Sequence, residues 1–211
     1  MKNSSLQNIV VFAQEIIRKP GEVGAIAPSS KFLGQAISKY IKSGSEPLNV
    51  IEVGPGTGAF TKIIADKLKL QDRLDVIEYN QPFVDVLKER FKDSPNVHIH
   101  CVSIIDWKPD YRYDFMVSSL PFNVFESGFV KAILEHYEDI MKPGGMISYF
   151  EYMVFPAIKK VFLTADKKTD FIKLHEILNQ YRKKYEIDTA KVFKNFPPAY
   201  VHNLRMNGNR S

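Results

Sequence analysis

Short apolar runs, each closed by glycine, proline, asparagine or a charged residue, alternate along this chain with stretches whose apolar residues recur every three to four positions. The runs predict strands near 48–53, 74–79, 97–102, 113–119 and 145–153, because strands buried on both faces need near-continuous Val, Ile and Leu. Helical spacing predicts helices over 59–70 and 129–141. The second stops at Lys142-Pro143-Gly144-Gly145, a breaker that turns the chain into the fifth strand. A helical stretch from about 157 to 184 leads to two more apolar runs, 185–193 and 199–204, and the Asn195-Phe196-Pro197-Pro198 connection between them suits a hairpin. Strands that alternate with helices predict an α/β fold: a seven-stranded, mainly parallel sheet with helices on both faces and a C-terminal antiparallel hairpin.

The start of the chain follows a different rule. Leu6, Ile9, Val10, Ala13, Ile16 and Ile17 recur at helical spacing, with Lys2, Gln14, Glu15, Arg18 and Lys19 at polar positions. This amphipathic helix either packs on a core or lies in a lipid headgroup layer, assisted by its lysines. Pro28-Ser29-Ser30 can cap a second helix over 31–40. The expected organisation is therefore an N-terminal helix and lid over 1–45 and one α/β domain over 46–211.

Composition adds limits. A chain of 211 residues can bury a full core but is short for two large domains. Its single cysteine, Cys101, lies in an apolar run and reads as a packed thiol in a reducing, cytoplasmic setting. No apolar stretch nears the ~18 residues of a spanning helix, and the polar start lacks the order of a signal peptide, so neither crossing nor export is expected. Charge is uneven. Residues 1–49 hold six basic and three acidic side chains, 50–153 hold eleven and sixteen, and 154–211 hold twelve and five. Basic flanks around an acidic middle suggest an anionic partner, a membrane surface or a nucleic acid.

The chemistry is concentrated at strand ends. Val50-Ile51-Glu52-Val53 runs into Gly54-Pro55-Gly56-Thr57-Gly58 and then a helix, which lets a ligand lie directly on the main chain. Glu78 ends the next strand, where an acid can hydrogen-bond ribose hydroxyls. Ile105 and Asp106 follow the third strand. The fourth strand ends in Ser118-Ser119-Leu120-Pro121-Phe122, at the edge where ligands of open α/β sheets bind. Proline there stiffens the loop and leaves carbonyls able to accept from an amine. No metal ligand set is expected.

The Glu-Val-Gly-Pro-Gly-Thr-Gly run resembles the first motif of class I S-adenosylmethionine (AdoMet)-dependent methyltransferases, whose third glycine comes one residue earlier than in dinucleotide folds. That resemblance implies AdoMet as cofactor: Gly54, Gly56, Thr57 and Gly58 would hold its methionine part, Glu52 would help orient its amino group, Glu78 would bind its ribose, and Ile105, Asp106 and Ser118 would complete the pocket.

Ser119-Leu120-Pro121-Phe122 resembles the Asn-Leu-Pro-Tyr/Phe motif of ribosomal RNA adenine dimethyltransferases, with Ser119 replacing the asparagine that helps hold adenine. Val23-Gly24-Ala25-Ile26-Ala27-Pro28-Ser29-Ser30 and Asn195-Phe196-Pro197-Pro198-Ala199-Tyr200-Val201 resemble segments of bacterial phospholipid N-methyltransferases. This second resemblance, from about residue 9 to 204, implies methylation of an aminophospholipid such as phosphatidylethanolamine by a peripheral protein on the inner face of the cytoplasmic membrane. Ser119, Leu120, Pro121 and Phe122 would then form the reaction centre. Tyr149 and Tyr152 would favour a methylated cation, and Tyr181, Arg182 and Tyr185, spaced on one helical face, would meet the lipid phosphate. Nucleic acid is not the expected partner. Adenine N6-methylation of RNA is the rival activity, and a membrane-associated AdoMet-binding protein without turnover is the non-enzymatic one.

Overall fold

The computed structural model describes residues 31–153, 165–195 and 197–207. Seven strands form one sheet: β1 (Asn49–Val53), β2 (Arg73–Glu78), β3 (Val97–Cys101), β4 (Tyr113–Ser118), β5 (Met141–Tyr152), β6 (Glu186–Val192) and β7 (Ala199–Arg205). Their order across the sheet is β3-β2-β1-β4-β5-β7-β6. The first five are parallel, and β7 pairs antiparallel with both β5 and β6. Described helices are α1 (Lys31–Ile37), α2 (Ala59–Ala65), α3 (Gln81–Arg90), α4 (Ser127–Ile140) and α5 (Ala165–Tyr185), with a short 3₁₀ turn at Phe122–Val124. The proposed N-terminal amphipathic helix and the Pro28-Ser29-Ser30 cap lie outside the described residues.

Burial on both faces explains the apolar runs. One face of the sheet places Ile51, Val53, Ile77, Met116, Ile147 and Tyr149 against α4 and α5, through Val130, Ile133, Tyr137, Leu174 and Leu178. The other places Val50, Leu74, Val76, Val117 and Val201 against α1, α2 and α3. Helix α1 lies close to α2 because position 34 is glycine, where a Cβ would collide with the Ile63 side chain.

Four local expectations change. Helix α2 stops at Ala65, earlier than the spacing suggested, and 66–71 turns back to β2 through short-range bonds such as Leu68 N–H to the Ala65 carbonyl. Helix α3, which the periodicity did not single out, is defined by buried Phe83, Val84 and Leu87 and by a proline in its first turn. The Lys142–Gly145 breaker is a bulge inside β5: Tyr113 pairs with Met141 and Phe115 with Met146, so 142–145 loop out of register. Gly145 fits there because a Cβ would sit 2.9 Å from the Lys142 carbonyl oxygen. Cys101 is exposed, not packed, because β3 is the edge strand and its outer face meets solvent.

A buried polar network braces the β2–β3–β4 side. Asp75 accepts from Arg73 Nε and Nη2 at 2.9 Å each, Tyr111 Oη at 2.7 Å and Tyr113 Oη at 3.1 Å, with His100 Nε2 at 2.7 Å. Burial opposes its charge, but these partners hold its carboxyl well below the usual range.

Candidate active site

Strand order reverses between β1 and β4, since β1 leads outward to β2 and β3 while β4 leads to β5 on the other side. Such a switch point opens a crevice at the carboxyl edge. Its two lips are the Gly54–Gly58 turn after β1 and the Ser119–Phe122 segment after β4. They touch: a Cβ at Gly54 would lie 2.8 Å from Leu120 Cδ2. Ser119 N–H donates to the Val53 carbonyl at 2.8 Å, so the second lip is hung directly on the end of β1.

The turn glycines do different work. Gly58 is needed for packing, because a Cβ there would lie 2.7 Å from Leu87 Cδ2. Gly56 has φ +59°, and a Cβ on it would meet nothing within 4 Å. Its open side is a cradle in which a ligand can approach the backbone and which a larger side chain would fill. Thr57 is exposed at the tip.

Two acids stand under and beside that cradle. Glu78 is buried at the end of β2; its Oε2 accepts from Gly56 N–H at 3.1 Å and its Oε1 accepts from the N–H groups of Tyr79 and Asn80 at 2.8 Å each. Glu52 is fully buried in β1, and both its carboxylate oxygens are without a hydrogen-bond partner. Burial pushes its pKa up to about 8; the neighbouring Thr61 hydroxyl, outside normal hydrogen-bond geometry, offsets part of that rise and the charge of Glu78 adds to it. A buried carboxyl with no donor is the arrangement expected beneath a ligand ammonium. Asp106 is exposed on the turn after β3, closed by Asp106 N–H to the Ser103 carbonyl at 2.9 Å, and Ile105 packs partly into the core.

The second lip divides by pleat. Ser118 is buried and its hydroxyl is paired with Tyr137 Oη at 2.9 Å, beneath α4. That pair braces β4 on α4. One residue on, the Ser119 hydroxyl is buried without a partner. The Leu120 carbonyl accepts Phe122 N–H at 2.9 Å and the Pro121 carbonyl accepts Val124 N–H at 2.9 Å, so each of these already holds one hydrogen bond. Phe122 is buried, its ring 5.5 Å from that of Tyr149 on β5, edge to face.

Residues 50–145 match the family model described as a methyltransferase domain. The structure of N-methyltransferase NodS from Bradyrhizobium japonicum WM9 in complex with S-adenosyl-l-homocysteine superposes with TM-score 0.65 at 14% identity, covering 95% of this chain and 100% of that one. The chain has the class I methyltransferase fold. The cofactor of this fold is S-adenosylmethionine, and the glycine cradle, the unpartnered Glu52 carboxyl and the Glu78 carboxylate beside Gly56 fit it. Malonyl-[acyl-carrier protein] O-methyltransferase 2 of Ilyobacter polytropus is 22% identical, over 76% of this chain and 63% of that protein. The ornithine lipid N-methyltransferase of Singulisphaera acidiphila is 25% identical, over 70% of this chain and 80% of that protein. The chain thus spans about three fifths of the length of the first curated relatives it matches, at 63% and 62%.

The remaining expected site residues separate within this methyltransferase fold. Tyr149 is buried on β5, stacked on His202 at 5.0 Å, and Tyr152 ends β5 at the carboxyl edge, 5.3 Å from the ring of Phe150. The Tyr181–Arg182–Tyr185 group does not meet an anion at the surface. Tyr181 and Tyr185 stack edge to face at 4.9 Å inside the core, Tyr181 Oη points to Met206 Sδ at 3.8 Å, and Arg182 Nη1 donates to Glu151 Oε2 at 3.0 Å. Their i, i+4 spacing is real, but that face of α5 is the one buried on the sheet. Sequence reasoning passed over Glu151 and His202, because no local motif marks either. Among the described residues, no group of His, Cys, Asp and Glu is arranged to hold a metal ion, and no helix is long and apolar enough to cross a membrane.

Proposed function

We propose that this protein is an AdoMet-dependent N-methyltransferase acting on the amine of a membrane aminophospholipid such as phosphatidylethanolamine. The observation that carries the lipid part of the reading is the rim of the sheet's carboxyl edge, beside β6 and α1. The turn after β6 lies at the carboxyl edge, since Val192 pairs with Ala199, which pairs with Tyr152. There Phe193 is 69% exposed and Phe32, in the first turn of α1, is 49% exposed. Lys194 Nζ stands 4.9 Å over the Phe32 ring, and Lys31 and Lys191 are exposed nearby in sequence. Exposed aromatic rings among lysines suit a surface of apolar chains and anionic headgroups. The Leu6–Ile17 amphipathic pattern precedes α1, whose first turn starts at the same rim, and supports peripheral attachment to the inner face of the cytoplasmic membrane.

The chemistry follows from what these residues can hold. AdoMet supplies an electrophilic methyl group on a sulfonium. Glu52 would offer its carboxylate to the cofactor's amino group, Glu78 to the ribose and Asp106 to the adenine, while Gly56 leaves room for a ligand on the backbone. The amine must reach the crevice deprotonated, with its lone pair free, so that its nitrogen could accept the methyl group the cofactor would supply. Ser119, with its unpartnered hydroxyl, and the Leu120-Pro121-Phe122 segment position that nitrogen, and the rings of Phe122 and Tyr149 favour a partly methylated cation. Ser119 is shorter than an amide and does not reach both edges of an adenine, which favours an alkyl amine.

Transfer of labelled methyl from AdoMet by the purified full chain tests this. Vesicles of phosphatidylethanolamine or ornithine lipid with anionic lipid, structured ribosomal RNA, and malonyl-acyl carrier protein are offered in parallel. Label in the lipid fraction supports the reading. Label confined to RNA or to the carrier protein overturns it.

A further inference from the structure

Glu151 follows Tyr149 by two residues on β5, so it lies on the same face of the sheet about 7 Å nearer the carboxyl edge. Ser118, the last residue of β4, pairs with Tyr149. Glu151 therefore stands beyond the end of β4, level with the Ser119–Phe122 segment. Arg182 of α5 donates to its Oε2 at 3.0 Å, and His202 Nε2 lies 3.5 Å from the same oxygen. His202 Nδ1 is 2.6 Å from Glu186 Oε1, and its ring stacks on Tyr149.

Three atoms of this cluster are buried without a hydrogen-bond partner: Glu151 Oε1, His202 Nε2 and the hydroxyl of Tyr149, a side chain only 2% exposed that has the Arg182 guanidinium nearby but outside normal hydrogen-bond geometry. Arg182 reaches only Oε2 of Glu151, so Oε1 is left without a donor. Burial pushes Glu151 up, but His202 and Arg182 hold its carboxyl below the ordinary range, so the group is a carboxylate at neutral pH. A half-satisfied buried carboxylate is costly unless a cation completes it.

We propose that Glu151 and Tyr149 form a cation subsite that receives the acceptor's ammonium group and so selects an amine over an anionic acceptor. The proposal rests on the N-methylation reading. An ammonium N–H donates to Glu151 Oε1, and the neighbouring rings of Phe122 and Tyr149 offer it π density. A carboxylate acceptor offers Glu151 Oε1 no donor and sets a second carboxylate beside it, which disfavours it. Arg182 does not rescue it, because that guanidinium is already held by Glu151.

The test is calorimetric titration of the full chain, saturated with S-adenosylhomocysteine, with N-methylethanolamine, using ethylene glycol as the neutral control. Wild type binds the cation and not the glycol. Glu151→Gln weakens the cation by about tenfold or more, as for loss of a charge-assisted hydrogen bond, while S-adenosylhomocysteine affinity is unchanged. If Glu151→Gln does not fold because Arg182 loses its partner, the paired Glu151→Gln/Arg182→Met replaces it and shows the same loss. Unchanged cation binding in a folded variant, or no discrimination by wild type, overturns the subsite. If no aminolipid is methylated but Glu151-dependent cation binding persists, the lipid acceptor falls and the subsite stands. If Glu151→Gln methylates lipid with unchanged KM, the subsite falls and the lipid acceptor stands.

Discussion

Replacing Glu52 with glutamine should change how stability depends on pH, in a direction set by burial. In the folded chain this carboxyl has no hydrogen-bond partner and its pKa is raised from 4.5 to about 8. Below pH 4.5 the group is protonated in folded and unfolded chains alike and contributes no pH dependence. Between 4.5 and about 8 only the unfolded chain ionises, so the folded state loses about 1.4 kcal/mol per pH unit. By pH 7.5 the loss is about 4 kcal/mol, and above pH 8 it levels off. Glu52→Gln keeps the shape and removes the proton equilibrium. Any fixed cost of burying the amide is the same at both pH values and cancels.

Urea denaturation of ligand-free wild type and Glu52→Gln at pH 5 and pH 7.5 reads the effect. The stability difference between the two proteins should shift by about 3–4 kcal/mol in favour of the variant at the higher pH. Saturating AdoMet should abolish that shift in wild type, because an ammonium beside Glu52 restores its ionised form. Parallel pH dependence of the two proteins, with a shift under about 1 kcal/mol, would refute the assignment of a buried, protonated Glu52.

Three further outcomes follow from the crevice and the sheet's carboxyl edge. Gly56→Val should abolish AdoMet binding in calorimetry while lowering stability by only about 1–2 kcal/mol, the cost of a left-handed conformation, since the site has room for the side chain in the absence of ligand. Ser118→Ala should cost about 1–3 kcal/mol in urea denaturation by leaving the Tyr137 hydroxyl unpaired in the core, with AdoMet affinity unchanged; a change in that affinity would place Ser118 in the cofactor site. Phe32→Ser/Phe193→Ser should weaken co-sedimentation with phosphatidylethanolamine–phosphatidylglycerol vesicles, and the remaining binding should fall with added salt, while AdoMet affinity is retained.

Much of this architecture was legible because a parallel sheet buried on both faces leaves few choices of residue. The runs around Val50–Val53, Leu74–Ile77 and Tyr113–Ser118 read directly as the strands that carry the site. Pleat parity was harder. Ser118 and Ser119 are neighbours of the same type, yet one pairs with Tyr137 and the other is left at the crevice, and only the register of β4 against β5 decides which. Tyr181 and Tyr185 show the same limit in a helix: spacing put them on one face, but not on the outer one. The Glu151–Arg182–His202 cluster had no sequence signal because its members come from β5, α5 and β7, brought together by the insertion of β7 beside β5.

The most direct measurement is mass spectrometry of phosphatidylethanolamine recovered after incubation with the full chain and AdoMet carrying a trideuterated methyl group, beside the Gly56→Val variant. N-methylation at this crevice predicts the deuterated methyl on the headgroup nitrogen with wild type and none with the variant. An unlabelled headgroup with wild type, or equal labelling by Gly56→Val, would contradict it.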